Sequence, residues 1–274
     1  MEPIDKRLIA YLSLPDEYSD ILDVFVSGIN SIDQNIPFEF IAGTQTLSKV
    51  YPCPSKKLKL VPCGKNADAL SRAAKCLSSV PQKYVLLMHP DTILTGKIDL
   101  DYIRNVLNYM DESGILSCTY QDCHHKGWNK YPCEKQLDLF YINRKTHYGL
   151  NLFFGIFDKQ YLLNLFDNEL LHKGNIWHIE KSWEQSVKNT STPSYFDKHI
   201  SFNNKKAIPF VHAVIKGTWI KKAKRRLIKS GVEAALFQNR NSKSYFLISI
   251  IRLFVYKIAY PNFIAHFIPQ KDHN

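Results

Sequence analysis

The sequence YVLLMHPDTILT, residues 84–95, determines the expected fold and the expected position of the site. It opens with an apolar run of the length typical of a short buried strand, and this run ends at His89-Pro90-Asp91. Open α/β sheets bind ligands just outside the carboxyl ends of their strands, so His89 and Asp91 are candidate functional groups. Pro90 restricts its own backbone and that of His89, which gives a stiff turn. The alternative is an ordinary Pro-Asp turn in which Asp91 caps the following backbone.

Strands and helices alternate on both sides of this stretch. Strands are expected at residues 7–14, 38–41, 57–61 and 115–120, and a strand followed by a helix is expected at 150–157 and 159–166. Helix starts are expected at Asp16, Asn66 and Asp99, whose side chains can cap the backbone. The pattern predicts an α/β fold with a parallel sheet in three layers. The glycine motifs of dinucleotide-binding, P-loop and α/β-hydrolase proteins do not occur in this sequence.

Positive charge is concentrated at the end of the chain. The whole sequence carries a net charge of +11, and residues 216–274 hold twelve Lys and Arg against Glu233 and Asp272, which leaves only +1 for residues 1–215. A nucleic-acid-binding protein more often spreads its basic residues over a recognition surface, so this class is the weaker alternative. The basic run 221–229 and the apolar segment 246–260 predict helices lying on an anionic membrane surface, and a buried C-terminal helix is the competing interpretation.

The sequence predicts a cytoplasmic protein. The first residues show no export signal, and no apolar stretch reaches the roughly eighteen residues of a membrane span. We therefore expect reduced cysteines. A group of possible metal ligands lacks the second closely spaced cysteine pair of a structural zinc site, so zinc is not favoured there; its members are Cys118, Cys123, His124, His125 and Cys133.

Two further segments carry candidate functional residues. Glu180 lies in GNIWHIEKSW, residues 174–183, between Trp177 and Trp183, and aromatic neighbours raise the pKa of a carboxyl group towards that of a general base. Trp177 is also suited to stack against a sugar ring. The alternative is a helix start in which Glu180 only complements the helix dipole. His212 follows a strand expected at 207–211 and could bind a metal or a phosphate, while Lys216 could neutralise a diphosphate.

Four segments in order resemble a known family. They are LIAYLSLPDEYSDILDVF (8–25), YVLLMHPDTILTGKID (84–99), NIWHIEKSW (175–183) and VHAVIKGTWIKKAKRRL (211–227). Together they resemble small bacterial polysaccharide-biosynthesis glycosyltransferases with a GT-A fold, of the kind encoded in capsule and O-antigen gene clusters. The resemblance implies a GT-A-like three-layer α/β/α domain over residues 1–215, followed by a basic amphipathic helical tail over 216–274. Residues 1–120 would form the nucleotide-sugar-binding half of the domain and residues 121–215 the acceptor half.

The resemblance also implies roles for single residues. The donor would be a nucleotide-sugar, a UDP-sugar above all, with Pro15, Asp16 and Tyr18 at the base and Asn66 and Asp68 near the base or the ribose. The end of the 84–88 strand matches the place of the family's DxD motif, whose carboxylates hold Mn²⁺ or Mg²⁺ on the diphosphate. Glu180 would be the base of an inverting transfer, and Trp177 and Trp183 would contact the acceptor, a lipid-linked saccharide or an oligosaccharide. The protein would be peripheral on the inner face of the cytoplasmic membrane.

The sequence departs from the family at the metal position. His89 stands where the DxD motif has a carboxylate, and imidazole suits Mn²⁺ less well than an oxygen ligand does. Three interpretations follow: a metal held by Asp91 with His212, metal-free transfer with His89 and Lys216 as counter-charges of the diphosphate, or a non-catalytic assembly protein derived from a glycosyltransferase.

Overall fold

Strands and helices alternate through the first 120 residues. The structure is a computed structural model and describes residues 2–32, 36–48, 50–52, 57–120, 131–143, 150–167, 178–180, 182, 195–202, 207–215, 217–238 and 240–243. Up to residue 120 its elements are α1 Ile4–Arg7, β1 Leu8–Ser13, a 3₁₀ turn Asp16–Tyr18, α2 Ser19–Ile32, β2 Phe40–Thr44, β3 Val50–Pro52, β4 Lys57–Pro62, α3 Ala69–Ser78, β5 Tyr84–Met88, β6 Thr92–Leu94, α4 Leu100–Ser113 and β7 Ser117–Tyr120.

The elements after residue 120 are shorter. They are β8 Pro132–Glu134, β9 Leu139–Asn143, β10 Gly155–Asp158, α5 Lys159–Asp167, β11 Tyr195–Phe202, β12 Phe210–His212, β13 Val214–Ile215, β14 Thr218–Ile220, the basic helix Lys221–Lys229, a second 3₁₀ turn Ala234–Phe237 and β15 Ser242–Lys243.

Within the described residues, ten strands form the central sheet in the order β3-β4-β2-β1-β5-β10-β7-β11-β9-β8. The neighbours β4, β2, β1 and β5 are parallel, and so are β7 and β11. Following the pairings across the sheet, seven strands point one way, and β3, β10 and β9 point the other. The predicted α/β class with a mostly parallel central sheet is confirmed.

Helices cover both faces of the sheet. Leu8, Ala10 and Leu12 of β1 belong to one hydrophobic core together with α2 and α4, whereas Ile9 and Tyr11 belong to a second core with α3 and α5. Successive side chains of a strand point to opposite faces, so β1 contributes to both cores. The three predicted layers are therefore present.

Two helix starts test the predicted caps. Asp99 caps α4, because its carboxylate accepts the backbone N–H of Tyr102 at 2.9 Å. The helix α3 begins later than expected, because Asp68 rather than Asn66 is its cap and accepts the N–H of Ser71 at 2.8 Å. The prediction of Asn66 as the cap is therefore wrong.

The strand β10 lies between β5 and β7 and is antiparallel to both. Gly155 faces Leu87 on one side and Thr119 on the other. A Cβ atom at residue 155 would lie 2.8 Å from the Cα of Thr119 and 2.9 Å from the carbonyl oxygen of Cys118. These contacts are too close for any side chain, so this strand fits between its neighbours only with glycine at residue 155.

The chain continues into small sheets beyond the central one. The strand β12 pairs with β6, and β13, β14 and β15 form a three-stranded sheet. The prediction that residues 207–211 contain the last strand is therefore wrong, since a left-handed turn at Gly217 (φ +71°) allows β13 and β14 to form a hairpin. Trp219, Leu227 and Phe237 are buried in the core that includes α2, although the predicted tail begins at residue 216. The division into domains stays a prediction.

In the part of the chain that the structure describes, no helix has both the length and the apolarity needed to cross a bilayer.

A cluster of charges joins the amino ends of β1 and β5 to α4. The Asp111 carboxylate accepts hydrogen bonds from Arg7 at 2.7 Å, from Lys83 at 2.5 Å and from the Tyr84 hydroxyl at 2.7 Å. Arg7 is buried, with 8% of its side chain exposed. Burial alone would raise the pKa of Asp111, but the Lys83 and Tyr84 hydrogen bonds and the charges of Lys83 and Arg7 hold the pKa below its ordinary value. This edge is opposite the carboxyl ends of the strands.

Candidate functional site

His89, Pro90 and Asp91 form a tight turn directly after β5. The N–H of Thr92 donates to the carbonyl oxygen of His89 at 2.9 Å, and Pro90 is the second residue of the turn, where its fixed φ is favourable. Because Leu12 of β1 lies beside Met88 of β5, the turn is level with the end of β1. The predicted strand and its polar ending therefore lie at the carboxyl edge of the sheet.

Asp91 and His212 are in contact although 121 residues separate them in sequence. Pairing of β12 with β6 places His212 beside Thr92, and the N–H of Ala213 donates to the carbonyl oxygen of Asp91 at 2.8 Å. The Asp91 Oδ2 to His212 Nε2 distance is 2.7 Å. His212 is 42% exposed in its side chain and Asp91 17%, so the pair can be reached from solvent.

The ring of Phe153 lies between the two histidines. It stacks on His89 with ring centres 5.4 Å apart at an angle of 17°, and its centre is 4.9 Å from that of His212. His89 Nε2 lies 3.4 Å from the carbonyl oxygen of Leu152, which can only accept, so the proton is assigned to Nε2. Burial lowers the pKa of His89, against opposing effects of Asp91 and Leu152. This lowered pKa argues against the interpretation in which His89 is a positive counter-charge.

Glu180 is joined to the same site through Leu152. Its Oε1 accepts the backbone N–H of Leu152 at 2.8 Å, and the carbonyl oxygen of Leu152 faces His89. Glu180 is only 6% exposed, and its Oε2 is buried and has no hydrogen-bond partner among the described residues. Burial raises the pKa of Glu180 to about 7, although the Leu152 hydrogen bond acts in the opposite direction. A carboxyl group with this pKa can accept a proton at neutral pH.

Arg72 is a candidate that the sequence patterns missed. It is buried on α3, where one terminal nitrogen donates to the carbonyl oxygen of Ala67 at 2.7 Å and the other donates to the Ser13 hydroxyl at 3.1 Å. Among the described residues its Nε has no hydrogen-bond partner, and its terminal nitrogens donate to a carbonyl and a hydroxyl group; the nearby Asp68 carboxylate interacts with Arg72 through charge alone. Ser13 is the last residue of β1 and lies beside Gly43 of β2, so Arg72 brings a positive charge to the carboxyl edge.

The first βα turn is held by internal hydrogen bonds. Asp16 does not cap α2 as predicted, because its carboxylate accepts the N–H groups of Gln45 and Thr46 at 3.0 Å each and also bonds the Thr46 hydroxyl. Burial alone would raise the pKa of Asp16, but these bonds hold it below its ordinary value. Pro15 precedes the 3₁₀ turn, and Tyr18 ends it.

The remaining predicted donor and acceptor residues are more scattered. Asn66 is exposed in the turn before α3, and Asp68 is the cap of that helix. Trp177, Trp183 and Lys216, and the predicted apolar segment 246–260, lie outside the described residues. So do Cys123, His124 and His125, whereas Cys118 is buried in β7 and Cys133 lies in β8.

The metal predicted at Asp91 and His212 has only part of a protein ligand set. No group of three or more His, Cys, Asp and Glu residues that could hold a metal occurs in the described part of the chain. Asp91 and His212 offer one carboxylate oxygen and one imidazole nitrogen. Mg²⁺ is often held by one or two carboxylates together with substrate phosphates, so this pair fits such an ion only when a diphosphate completes the site.

Comparison with known proteins gives structural matches only. No protein-family model matches the chain, and no curated protein matches it. The chain is similar to the glycosyltransferase GlyE of Streptococcus pneumoniae, with a TM-score of 0.40, 12% identity, and coverage of 73% of this chain and 46% of that one. For the apo form of GlyE these values are 0.44, 11%, 89% and 64%, and for an active-site mutant of LgtC they are 0.35, 11%, 68% and 66%. The chain thus spans about half to two thirds of these structures.

Proposed function

We propose that the protein is a glycosyltransferase that moves a sugar from a nucleotide-sugar to a hydroxyl group of a saccharide acceptor. The observation that best supports this is the contact of Asp91 with His212 at the carboxyl edge, linked through Phe153 and Leu152 to the buried Glu180. Asp91, Glu180 and His212 belong to three of the four segments that resemble the polysaccharide glycosyltransferases. Leu152 and Phe153 lie between these segments in the sequence. The carboxyl edge is also where α/β sheets bind ligands.

The residues divide into a donor side and an acceptor side. On the donor side, the guanidinium of Arg72 would offset the negative charge of the diphosphate, and Asp91 would orient His212 beside it. A divalent ion held by Asp91 and His212 would supply further stabilisation of the leaving diphosphate. A buried cation is costly unless it is paired, and among the described residues no carboxylate is hydrogen-bonded to Arg72, so an anionic ligand beside it would offset that cost.

On the acceptor side, Glu180 would take the proton of the attacking hydroxyl through Oε2, which has no hydrogen-bond partner among the described residues. The hydroxyl oxygen would form a bond to the anomeric carbon while the bond from that carbon to the diphosphate breaks and its electrons remain on the diphosphate. Attack from the face opposite the diphosphate inverts the anomeric centre. The proposed transfer is therefore an inverting one, as the resemblance implies.

Donor binding provides the direct test of this function. We expect a UDP-sugar, and more weakly UDP alone, to raise the melting temperature of the protein, since a ligand that binds only the folded state stabilises it. Thermal shift should be measured with UDP-, GDP- and dTDP-sugars, each with and without Mn²⁺. Adenosine diphosphate is a suitable control for unspecific diphosphate binding. If no nucleotide or nucleotide-sugar shifts the transition, the glycosyltransferase proposal is wrong.

Replacing Glu180 by glutamine should lower the transfer rate about 10²–10⁴-fold, the range for loss of a general base. Glutamine keeps an oxygen that can accept the Leu152 N–H, so folding and donor binding should change little. In the wild type, the rate should rise with pH through about 7, where Glu180 loses its proton, and this limb should vanish in the variant. Exposed Glu112→Gln on α4 is the control. Unchanged transfer in Glu180→Gln would exclude Glu180 as the base.

For the acceptor and the location, we propose a lipid-linked saccharide at an anionic membrane surface. Ala223 and Leu227 are buried and seat the basic helix on the core, which leaves the opposite face to solvent. That face carries exposed Lys221, Lys222, Arg225, Arg226 and Lys229. The ion pairs observed among the described residues include none of these five cations. Such a face complements the negative headgroups that surround a lipid diphosphate.

Neutralising Lys222, Arg225, Arg226 and Lys229 to glutamine should weaken binding to vesicles containing phosphatidylglycerol by about 100-fold or more, because each cation contributes about 1 kcal/mol near such a surface. Co-sedimentation at two salt concentrations measures the effect, and pure phosphatidylcholine vesicles are the control. These substitutions spare the buried Leu227, whereas truncation after Trp219 would remove core residues. Equal sedimentation of variant and wild type would contradict the proposal.

A further inference from the structure

Arg240 joins three segments of the chain around the first βα turn. Its Nε donates to Asp20 Oδ2 at 2.6 Å, and one terminal nitrogen donates to Asp20 Oδ1 at 2.7 Å. The same nitrogen donates to the carbonyl oxygen of Glu17 at 2.9 Å, and the other terminal nitrogen lies 3.4 Å from that of Gly217. The pair is largely buried, with 15% of Arg240 and 17% of Asp20 exposed.

The guanidinium also packs on an aromatic ring. Its central carbon lies 4.8 Å from the centre of the Tyr18 ring, within the range of a cation–π contact. Arg240 therefore contacts the side chain of Tyr18, the backbone of Glu17 and the side chain of Asp20. These residues span the 3₁₀ turn and the start of α2.

Arg240 is itself held in place by the C-terminal sheet. The N–H of Trp219 donates to the carbonyl oxygen of Asn241 at 2.9 Å, and Trp219 and Ile220 of β14 lie beside Ser242 and Lys243 of β15. Trp219 is fully buried and packs edge-on against Phe237. The guanidinium is thus anchored before it reaches the first βα turn.

Two sets of contacts therefore hold the turn. Asp16 accepts the N–H groups of Gln45 and Thr46, which follow β2, and Arg240 contacts Glu17, Tyr18 and Asp20. The resemblance implies that Tyr18 lies at the nucleobase, and we propose that Arg240 is a positioning residue for the nucleotide, which fixes Tyr18 and the turn in the shape that binds it. This inference rests on the proposed function. Because Asp20 already pairs with its charge, Arg240 acts through Tyr18 and the turn and not as a cation for the diphosphate.

Replacing Arg240 by lysine tests this positioning role selectively. Arg240→Lys keeps the positive charge but loses the two-pronged hydrogen bond and the planar stack, so lysine cannot replace it in this role. Asp20→Asn weakens the same pair from the other side and leaves the contacts of Arg240 with Glu17 and Tyr18 possible. Arg104→Lys is the matched control, because Arg104 pairs with Asp101 on the exposed surface of α4.

The test measures binding of UDP by calorimetry and the kinetic constants of transfer, in full-length protein below the melting temperature of each variant. We expect Arg240→Lys to raise the Kd of UDP and the KM of the donor about tenfold, with kcat and the acceptor KM within about threefold of wild type. Asp20→Asn should act in the same direction with a smaller effect, and Arg104→Lys should have none. A role in folding alone would lower the melting temperature but leave the donor KM unchanged.

The outcomes separate the inference from the function on which it rests. If the wild type binds UDP and both variants bind it equally well, the positioning role of Arg240 is wrong and the proposed function stands. If the wild type binds no nucleotide, both are wrong. Should Arg240→Lys fail to fold, Asp20→Asn decides: an unchanged donor KM overturns the inference, and a raised donor KM supports it.

Discussion

Asp91→Asn is expected to lower the transfer rate about 10²–10³-fold, the scale of losing one group that stabilises charge in the transition state. Asparagine keeps the size of the side chain and its carbonyl oxygen but removes the negative charge that faces His212. The melting temperature should change little, since the turn is held by Pro90 and by backbone hydrogen bonds from Thr92 and Ala213. Steady-state transfer with and without Mn²⁺ measures the effect.

Asp101→Asn is the control for Asp91→Asn, because Asp101 is an exposed carboxylate whose ion pair among the described residues is with Arg104 on the surface of α4. The metal dependence separates the remaining interpretations. If Mn²⁺ stimulates the wild type and not Asp91→Asn, the ion is held at Asp91 and His212. Full activity of Asp91→Asn under both conditions would show that Asp91 has no role in transfer. A wild type that binds the donor but transfers nothing would favour the non-catalytic assembly protein.

Asp111→Ala is expected to lower the free energy of unfolding by about 2–3 kcal/mol. It removes the acceptor shared by Lys83 and Tyr84 and leaves the buried Arg7 with Asn108 as its remaining side-chain partner. Breaking a fully buried ion pair costs about 3–5 kcal/mol, and the smaller figure allows for the 39% of the Asp111 side chain that is exposed. Denaturant unfolding measures the change. Asp101→Ala, on the same helix, should cost less than about 0.5 kcal/mol.

The loss in Asp111→Ala should depend on pH. The pKa of Asp111 in the folded protein is below its ordinary value, so its contribution is complete above the unfolded value of about 3.9 and disappears as the pH falls through the folded pKa. The difference between wild type and variant should therefore be constant from about pH 5 to 7 and shrink below about pH 4. A difference that stays constant down to pH 2 would show that the charge of Asp111 is not responsible.

Local patterns in the sequence were sufficient to predict most strands and helices in the first half of the chain. Leu22, Phe25, Val26 and Ile29 repeat with helical spacing and are all buried in one core, because periodic apolar residues report directly which face is covered. The placement of β10 could not be predicted. Its apolar residues identify a strand, but nothing local specifies that it enters between β5 and β7 or runs against both.

Part of the candidate site could also be predicted from local patterns in the sequence. Asp91 and His212 were paired as metal ligands from the sequence, and the structure brings them into contact through the pairing of β6 with β12. Arg72 was missed because a charged residue on a helix normally faces solvent. Its burial depends on Gly43, whose missing side chain leaves the space that the Arg72 Cβ occupies, 2.9 Å from where a Cβ of residue 43 would be. The sequence held one signal of this close packing, namely a single glycine within an otherwise apolar strand.

The insertion of β10 also bears on how the chain can fold while it is being synthesised. The parallel strands β4, β2, β1 and β5 are complete at residue 88, but the partner on the open side of β5 begins at Gly155, nearly 70 residues later. At about 5–20 residues per second, the β5 edge remains unpaired for about 3–14 seconds on the ribosome. An unpaired apolar edge invites pairing with other chains. Translation speed between residues 88 and 158 therefore sets how long the nascent protein is exposed to aggregation.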